Sequence, residues 1–416
     1  PGRVMKVLLI NTLYGGHPGG IDRYTAQIIH MLHRAGERTL LVYGRRRGEA
    51  MERDLPLESE HALPGLESGP KGKSDDVAER LLALAAGLQP DVVFTQDIAH
   101  APALTALCRN FPVVQMFHDY RPICLKDTRR GYFARRLCPW PLGWRCLLNG
   151  HFIRRPAAGS RLPRLASLKE AQRLLAACKG SHHALTASDH VRSAYILNGF
   201  APHKIATLPL FTPENGFDPA GSYPREKIIL FVGRLTDRYK GADLLLDVMQ
   251  RCREEIRLCI AGDGRYAARI RSLCAKKELS HRVKFMGWME GEALQQAYRQ
   301  AMAVVMPSLW AEPFGLVGLE AMANGTPVVA FDVGGIPQWL RENVTGFLVP
   351  WLDTAAMAER IDRLAGNPVQ VRQMGLAGHR HVRSEFSESS YLEGLMGAFR
   401  LAIDRFHAEK TGRSLS

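Results

Sequence analysis

The chain has no run of about 18–20 apolar residues free of charge, so no segment is expected to cross a membrane. Its first residues lack the apolar core of a secretory signal; "VMKVLLINTL" reads as a first strand instead. No internal repeat of short period is evident, which argues against a repeat architecture. The eight cysteines are scattered and do not make a disulfide framework. They fit a reducing compartment, so the cytoplasm is the expected location. Acidic residues are scarce in one window. Residues 101–200 carry sixteen Lys and Arg against four Asp and Glu, a net +12 in a chain whose total is +14. Such a field attracts an anionic partner: nucleic acid, an anionic membrane surface or a phosphorylated substrate. The plain alternative is a solvated basic face with no partner.

What is present is an alternation of short apolar strands and amphipathic helices. A length of 416 residues suggests two or three domains. Val4–Asn11 is read as a strand, followed by the loop "LYGGHPGG" and a helix over 21–35, which Gly36 ends. "RTLLVYG", "PDVVFTQD" and "FPVVQMFHD" are further strands, with a helix between the last two. The alternation breaks at about 120–165, a stretch rich in Arg and Trp that reads as an insertion. A helix at 166–178 and the strand "HALTAS" follow, and 209–226 reads as a linker rich in Pro, Gly and Asn.

A second series begins with "KIILFVGRL" and a helix at 242–254. It continues through "IRLCIAGDG", a helix at 266–278, "VKFMGW", a helix at 291–300, "AVVMPS", "TPVVAF" and "GFLVP". Helices at 354–365, 368–384 and 390–408 close the chain. The pattern predicts an α/β protein of two doubly wound Rossmann-like domains facing a cleft. The first domain spans 1–208 and the second 209–388, with 389–416 a helix crossing back to the first. Ligands in such sheets bind beyond the carboxyl ends of the strands.

Three groups sit at predicted strand ends in the second domain. Arg234, after Gly233, and Lys240, six residues on, are placed to converge on one anion such as a diphosphate, although basic residues at strand ends are common. Gly262-Asp263-Gly264 is either a site where a flat ligand approaches the backbone or a simple turn. "PSLWAEPFGLVGLEAMANGTPVVA" puts Glu312 in a loop and Glu320 within the apolar helix that Phe314-Gly315 opens and Gly325 closes. The first amides of that helix, at Gly315, Leu316 and Val317, lack intrahelical partners and form an anion and hydroxyl site. Glu320 lies among Leu319, Ala321 and Met322, and a buried carboxylate is rarely kept without a partner.

"EPFGLVGLEAMANGTPVVA" resembles the Glu–seven residues–Glu signature of family 4 retaining glycosyltransferases of the glycosyltransferase-B fold. "GRLTDRYKGADLLL", "IAGDG", "VKFMGW" and "PVVAFDVGGIPQWLRENVTGFLVP" are similar to the family's other segments and fall in its order. The resemblance implies transfer of a sugar from a UDP- or GDP-sugar to a glycan, glycolipid or lipid-diphosphate acceptor, as in cell-surface polysaccharide synthesis. Arg234 and Lys240 would bind the diphosphate and Glu320 the ribose. Glu312, with the amides of Phe314, Gly315 and Leu316, would hold the transferred sugar and its distal phosphate. Gly19 and Gly20 would lie against the donor, and their spacing is not that of a dinucleotide fingerprint. His118, followed by Asp119, is similar to the family's active-site histidine and would hydrogen-bond the transferred sugar. No cofactor is implied and, without an Asp-X-Asp signature, no metal. Retention is ascribed in this family to front-face attack, which needs no protein nucleophile.

The insertion is read separately. Cys124, Cys138, Cys146 and His151 allow a Cys3His zinc site, but their spacing is irregular and thiols without metal are the competing reading. Arg129, Arg130, Arg135 and Arg136 with Trp140 and Trp144 combine cations and interfacial aromatics. They are suited to an anionic lipid headgroup or to the inner face of the cell membrane. An ordered insertion packed on the first domain explains them equally. Other enzymes on the same fold, such as a sugar-nucleotide epimerase, and a basic RNA- or glycan-binding protein are the alternatives. Nucleic acid is not expected as a partner.

Overall fold

The computed structural model describes residues 4–14, 20–46, 55–67, 76–129, 137–154, 164–213, 215–221, 225–236 and 238–412. Gly19, Arg130, Arg135 and Arg136 lie outside the described residues. The chain forms two compact units. One comprises Pro1–Leu208 with Tyr391–Ser416, the other Pro209–Ser390.

The first unit is built on strands β1 (Lys6–Tyr14), β2 (Arg38–Arg46), β3 (Ser59–Ala62), β4 (Val92–Thr95) and β5 (Val113–Phe117). A small antiparallel pair, β6 (Ile153–Arg154) and β7 (Arg164–Leu165), precedes β8 (His183–Thr186) and β9 (Ile205–Thr207). Seven of these make a parallel sheet in the order β3-β2-β1-β4-β5-β8-β9. Val7–Ile10 in β1 and Val92–Phe94 in β4 are wholly buried, because helices cover both faces of the sheet. Those helices are α1 (Gly20–Arg34), α2 (Val77–Leu88), α3 (Ala101–Asn110), the short α4 (Arg145–Leu148), α5 (Leu168–Lys179) and α6 (Asp189–Leu197). β3 reads "SEHA", three-quarters polar and half exposed, and so carries no apolar run that would announce a strand.

The second unit has β10 (Glu226–Val232), α7 (Leu244–Met249), β11 (Arg257–Ala261), α8 (Ala267–Lys276), β12 (Val283–Gly287), α9 (Gly291–Gln300) and β13 (Ala301–Met306). Then come α10 (Leu316–Ala323), β14 (Val328–Phe331), β15 (Gly346–Val349), α11 (Thr354–Ala365) and α12 (Pro368–Glu385). The parallel sheet runs β12-β11-β10-β13-β14-β15. Its strand order reverses between β10 and β13, which makes the ends of those two strands the switch point where such sheets bind ligands.

Two boundaries differ from expectation. The helix expected over 242–254 is α-helical only at Leu244–Met249. The amide of Arg253 is taken by the Asp362 carboxylate (3.0 Å) instead of a helical carbonyl. α10 begins at Leu316, not at Phe314. Gly315 is left-handed (φ 98°), and the Phe314 carbonyl accepts a hydrogen bond from Trp339 Nε1 (2.6 Å), so the chain enters the helix two residues later.

The last helix, α13 (Glu388–Thr411), joins the first unit from Tyr391 onward. Tyr391, Leu395, Phe399 and Ala402 form its buried stripe. Phe399 meets Phe94 of β4 edge-on (5.4 Å), and Arg405 donates to the backbone carbonyl of His182 (3.0 Å).

Candidate active site

In the second unit, the switch point gathers the ends of β10 and β13. The backbone after β10 reaches Lys240, then turns at Gly241 with φ 72°. A Cβ there would sit 1.9 Å from the Pro307 carbonyl oxygen, so only glycine lets the two loops touch. The contact delivers the Lys240 ammonium to Glu312, at 2.8 and 3.0 Å from its two carboxylate oxygens. Ser308 Oγ and Trp310 Nε1 each donate to Glu312 Oε2 at 2.9 Å. Glu312 is 4% exposed, and these charged and neutral donors offset the cost of burying its carboxylate. Its backbone carbonyl accepts from Gly335 (2.7 Å), which fixes the loop as well.

The head of α10 stands on Trp339. A Cβ on Gly318 would lie 2.0 Å from Trp339 Cη2. Glycine therefore lets the helix lie directly on the fully buried indole, whose Nε1–H is bonded to the Phe314 carbonyl. The amides of Leu316 and Val317, in the first turn of α10, have no acceptor within the helix by its geometry, whereas Gly318 donates to the Gly315 carbonyl (2.9 Å). Glu320, one turn further, is half-buried and accepts a hydrogen bond from the buried Tyr298 hydroxyl (2.8 Å). The carboxylate is thus kept at a fixed place on the helix surface.

Arg234 and Asp263 are both exposed. Arg234 makes no hydrogen bond or ion pair to another described residue. Asp263 accepts the Gly264 amide (2.7 Å) and its carbonyl takes the Leu235 amide (2.8 Å), so within the fold it serves as a turn residue.

In the first unit, the ends of β4 and β5 bring a second set together. His118 Nε2 lies 2.8 Å from Gln96 Oε1. The Gln96 amide nitrogen donates to Thr25 Oγ1 (3.0 Å), which also receives Asn11 Nδ2 (2.8 Å). With the Gln96 oxygen as acceptor, His118 carries its proton on Nε2, and Nδ1 is the acceptor. Desolvation pulls the His118 imidazole down to about 4, with the Asp119 carboxylate opposing and Arg121 assisting. The ring also meets Tyr24 edge-on (5.4 Å). Beside it, Asp119 pairs with Arg121 Nε (2.7 Å), and Asp97 accepts the Thr12 amide (2.8 Å) with Arg121 at 3.4 Å. Burial raises the Asp97 carboxyl, against the pull of Arg121.

Residues 18–213 match the model of Glycosyltransferase Family 4, and residues 214–381 that of Glycosyl transferases group 1. The two matches adjoin and together take in most of the chain. The chain is family 4-like, with a glycosyltransferase model matched in each half.

Among similar proteins, an uncharacterized glycosyltransferase of Methanocaldococcus jannaschii is 41% identical over 141 residues, 33% of this chain and 36% of that one. A D-inositol 3-phosphate glycosyltransferase of Nocardia farcinica is 36% identical over 202 residues, 46% and 44% of the two chains. A phosphatidyl-myo-inositol mannosyltransferase of Mycobacterium leprae is 36% identical over 165 residues, 39% and 43% of the two. The chain thus spans about half or less of the length of the curated relatives it matches. Among solved structures, sucrose-phosphate synthase from Thermosynechococcus elongatus superposes with a TM-score of 0.69 at 22% identity, covering 95% of this chain and 98% of that one. Anabaena HepE in complex with UDP gives 0.68 at 18% identity, covering 94% and 99%. These likenesses establish the glycosyltransferase-B fold.

The geometry of the insertion bears on two of the sequence readings. Among the described residues no group of three or more His, Cys, Asp and Glu is gathered as a metal ion requires, and Cys124, Cys138, Cys146 and His151 form no such set. Cys124, Cys146 and His151 are buried, His151 with neither ring nitrogen hydrogen-bonded. Arg129 is not a surface cation. Its left-handed backbone (φ 49°) turns the guanidinium inward onto the Cys138 carbonyl (2.8 and 3.2 Å) and over the Tyr120 ring. Trp140 and Trp144 are exposed.

Sequence reasoning missed Gln96, Asp97, Thr25 and Arg121 in the first unit, and Ser308, Trp310, Tyr298 and Trp339 in the second. Gln96 and Asp97 directly follow β4, so strand-end position was the signal that could have found them. Tyr298 and Trp339 left no local signal, because each reaches the site from a distant element.

Proposed function

We propose that this protein is a retaining glycosyltransferase that moves a sugar from a nucleoside-diphosphate sugar to a glycan or lipid-linked acceptor. The observation that carries the proposal is the buried Glu312 carboxylate, held by Lys240, Ser308 and Trp310 at the head of α10. Such a site gives a sugar's hydroxyls a rigid acceptor and a phosphate a nearby cation and helix-end amides. Lys240 exchanges part of its contact with Glu312 for the donor diphosphate, and Arg234 adds a second cation. Glu320, oriented by Tyr298, accepts the ribose hydroxyls. His118 Nδ1 accepts a hydroxyl of the transferred sugar. The acceptor oxygen attacks the anomeric carbon on the face from which the diphosphate departs; the carbon–phosphate-oxygen bond breaks and the leaving phosphate oxygen takes the proton.

Similarity to HepE, solved with UDP and with UDP-glucose, supports a uridine nucleotide as the first donor to test. The test is turnover of a panel of UDP- and GDP-sugars by the full chain, with NMR of the product anomer. The expected result is release of one nucleotide with the donor's anomeric configuration kept. Wild-type turnover in both Glu320→Ala and Lys240→Ala overturns the assignment, as does an inverted product.

A further inference from the structure

Of the large apolar side chains that stand exposed among the described residues, half fall in one short stretch of the insertion: Trp140, Trp144, Leu147, Leu148, Ile153 and Leu165. The rest are scattered singly over the fold, as is normal for a surface. The stretch is knit into one knob. α4 buries only Cys146 and turns Leu147 and Leu148 outward, Leu148 at 73% exposure. Gly150 donates to the Leu147 carbonyl (3.1 Å) and Ile153 to that of Gly150 (3.2 Å), which ties α4 to β6. Ile153 and Leu165 then pair across β6 and β7, and Leu165 is 72% exposed. Trp144, at 63% exposure, and Trp140 flank Arg145, whose guanidinium lies 5.5 Å from one ring and 3.9 Å from the other.

We propose that this knob docks the protein onto an anionic lipid bilayer. Tryptophans bracketing an arginine, with leucines on the same short helix, match the chemistry of the headgroup–acyl boundary, where indoles and guanidinium groups settle and aliphatic side chains reach the acyl layer. The charge fits as well: residues 101–200, which carry the knob, hold sixteen Lys and Arg against four Asp and Glu, and a segment of net positive charge is drawn to an anionic leaflet. The knob is also continuous with a groove of about 1330 Å³ within the first unit. Leu165 lines one part of it, and Arg121, which pairs with Asp119 next to His118, lines another. A lipid-linked acceptor would therefore be met at the bilayer surface beside the proposed site. That last point rests on the sugar-transfer reading; the docking itself does not.

The test is co-sedimentation of the full chain with vesicles of phosphatidylcholine plus phosphatidylglycerol, and with phosphatidylcholine alone. Wild type is expected to bind the mixed vesicles, more weakly as salt rises, and to bind the neutral ones poorly. The double variant Trp144→Ser/Leu148→Ser is expected to lose about tenfold or more in vesicle affinity, because both side chains leave the boundary. Val369→Ser removes an equally exposed side chain of the second unit and is expected to change nothing. Wild type that stays in the supernatant overturns the proposal. So does a double variant that binds as wild type does, or a protein partner that covers the knob while vesicles do not. Calorimetric titration of the same proteins with UDP separates the two ideas: its failure in wild type counts against the donor site and leaves the vesicle result standing.

Discussion

The two units have the same kind of sheet and yet store their chemistry differently. In the second, Lys240, Ser308, Trp310 and Glu312 come from two loops at adjacent strand ends, and most of the set lies within five residues of sequence. In the first, His118 is oriented by Gln96, Gln96 by Thr25, and Thr25 is shared with Asn11, so one imidazole depends on three further segments of the chain. A compact site fails when one of its own groups is removed. A relayed site fails in steps, as each supporting bond is lost.

The largest effect is expected where the compact site is broken. Glu312→Ala should lower turnover about 10²–10³-fold, in the range seen for loss of a group that stabilises developing charge in a transition state. Its removal also leaves the Lys240 ammonium without its carboxylate partner. Circular dichroism should stay native; a drop of less than tenfold, measured by nucleotide release, would contradict the role.

A stability change tests the platform beneath that site. Gly318→Ala gains about 1 kcal/mol of helix propensity but drives a Cβ into the Trp339 ring at 2.0 Å. Overpacking against a fully buried indole costs about 1–3 kcal/mol, so a net loss is expected in denaturant unfolding. A stabilised Gly318→Ala would mean that α10 is free to shift off Trp339.

The relay in the first unit should give a graded response. Gln96→Leu removes the acceptor that sets the His118 tautomer and should lower turnover about tenfold, with His118→Ala costing more. Equal and complete loss in both would make Gln96 part of the site itself and erase the contrast between the units.

Last comes a pH dependence of stability, to which the first unit contributes three strongly lowered histidines and the second the buried His381. His118, His182 and His183 all have their pKa lowered from 6.5 to about 4 by burial. Between those values the unfolded chain binds more protons than the folded one. Stability is therefore complete above pH 6.5 and falls as the pH drops towards 4. Thermal unfolding followed by circular dichroism should show a midpoint some degrees lower at pH 5 than at pH 7. An unchanged midpoint would mean that these rings are not held neutral by packing.

The legibility of the fold follows the same division. Parallel strands buried on both faces are continuous apolar runs, so "KVLLI" and "AMAVVM" declared themselves, while the polar edge strand "SEHA" did not. Glu312 and Lys240 stood out because each follows a predicted strand, where the topology sends ligands, and His118 because it is similar to a family histidine. Trp339 did not, since its task is to lie under a glycine far away in sequence. Arg129 looked like a surface cation because composition records charge and not direction; a single left-handed residue turned it inward. That Trp140 and Trp144 stand exposed, and that Ile153 and Leu165 stand beside each other, only the structure shows.

Calorimetric titration of the full chain with UDP and with GDP, in wild type and Lys240→Ala, tests the central claim most directly. The account predicts that one of the two nucleotides binds wild type and that Lys240→Ala weakens it at least about tenfold, by loss of a charge-assisted contact to phosphate. Binding of neither nucleotide to wild type, or equal binding to both proteins, would contradict it.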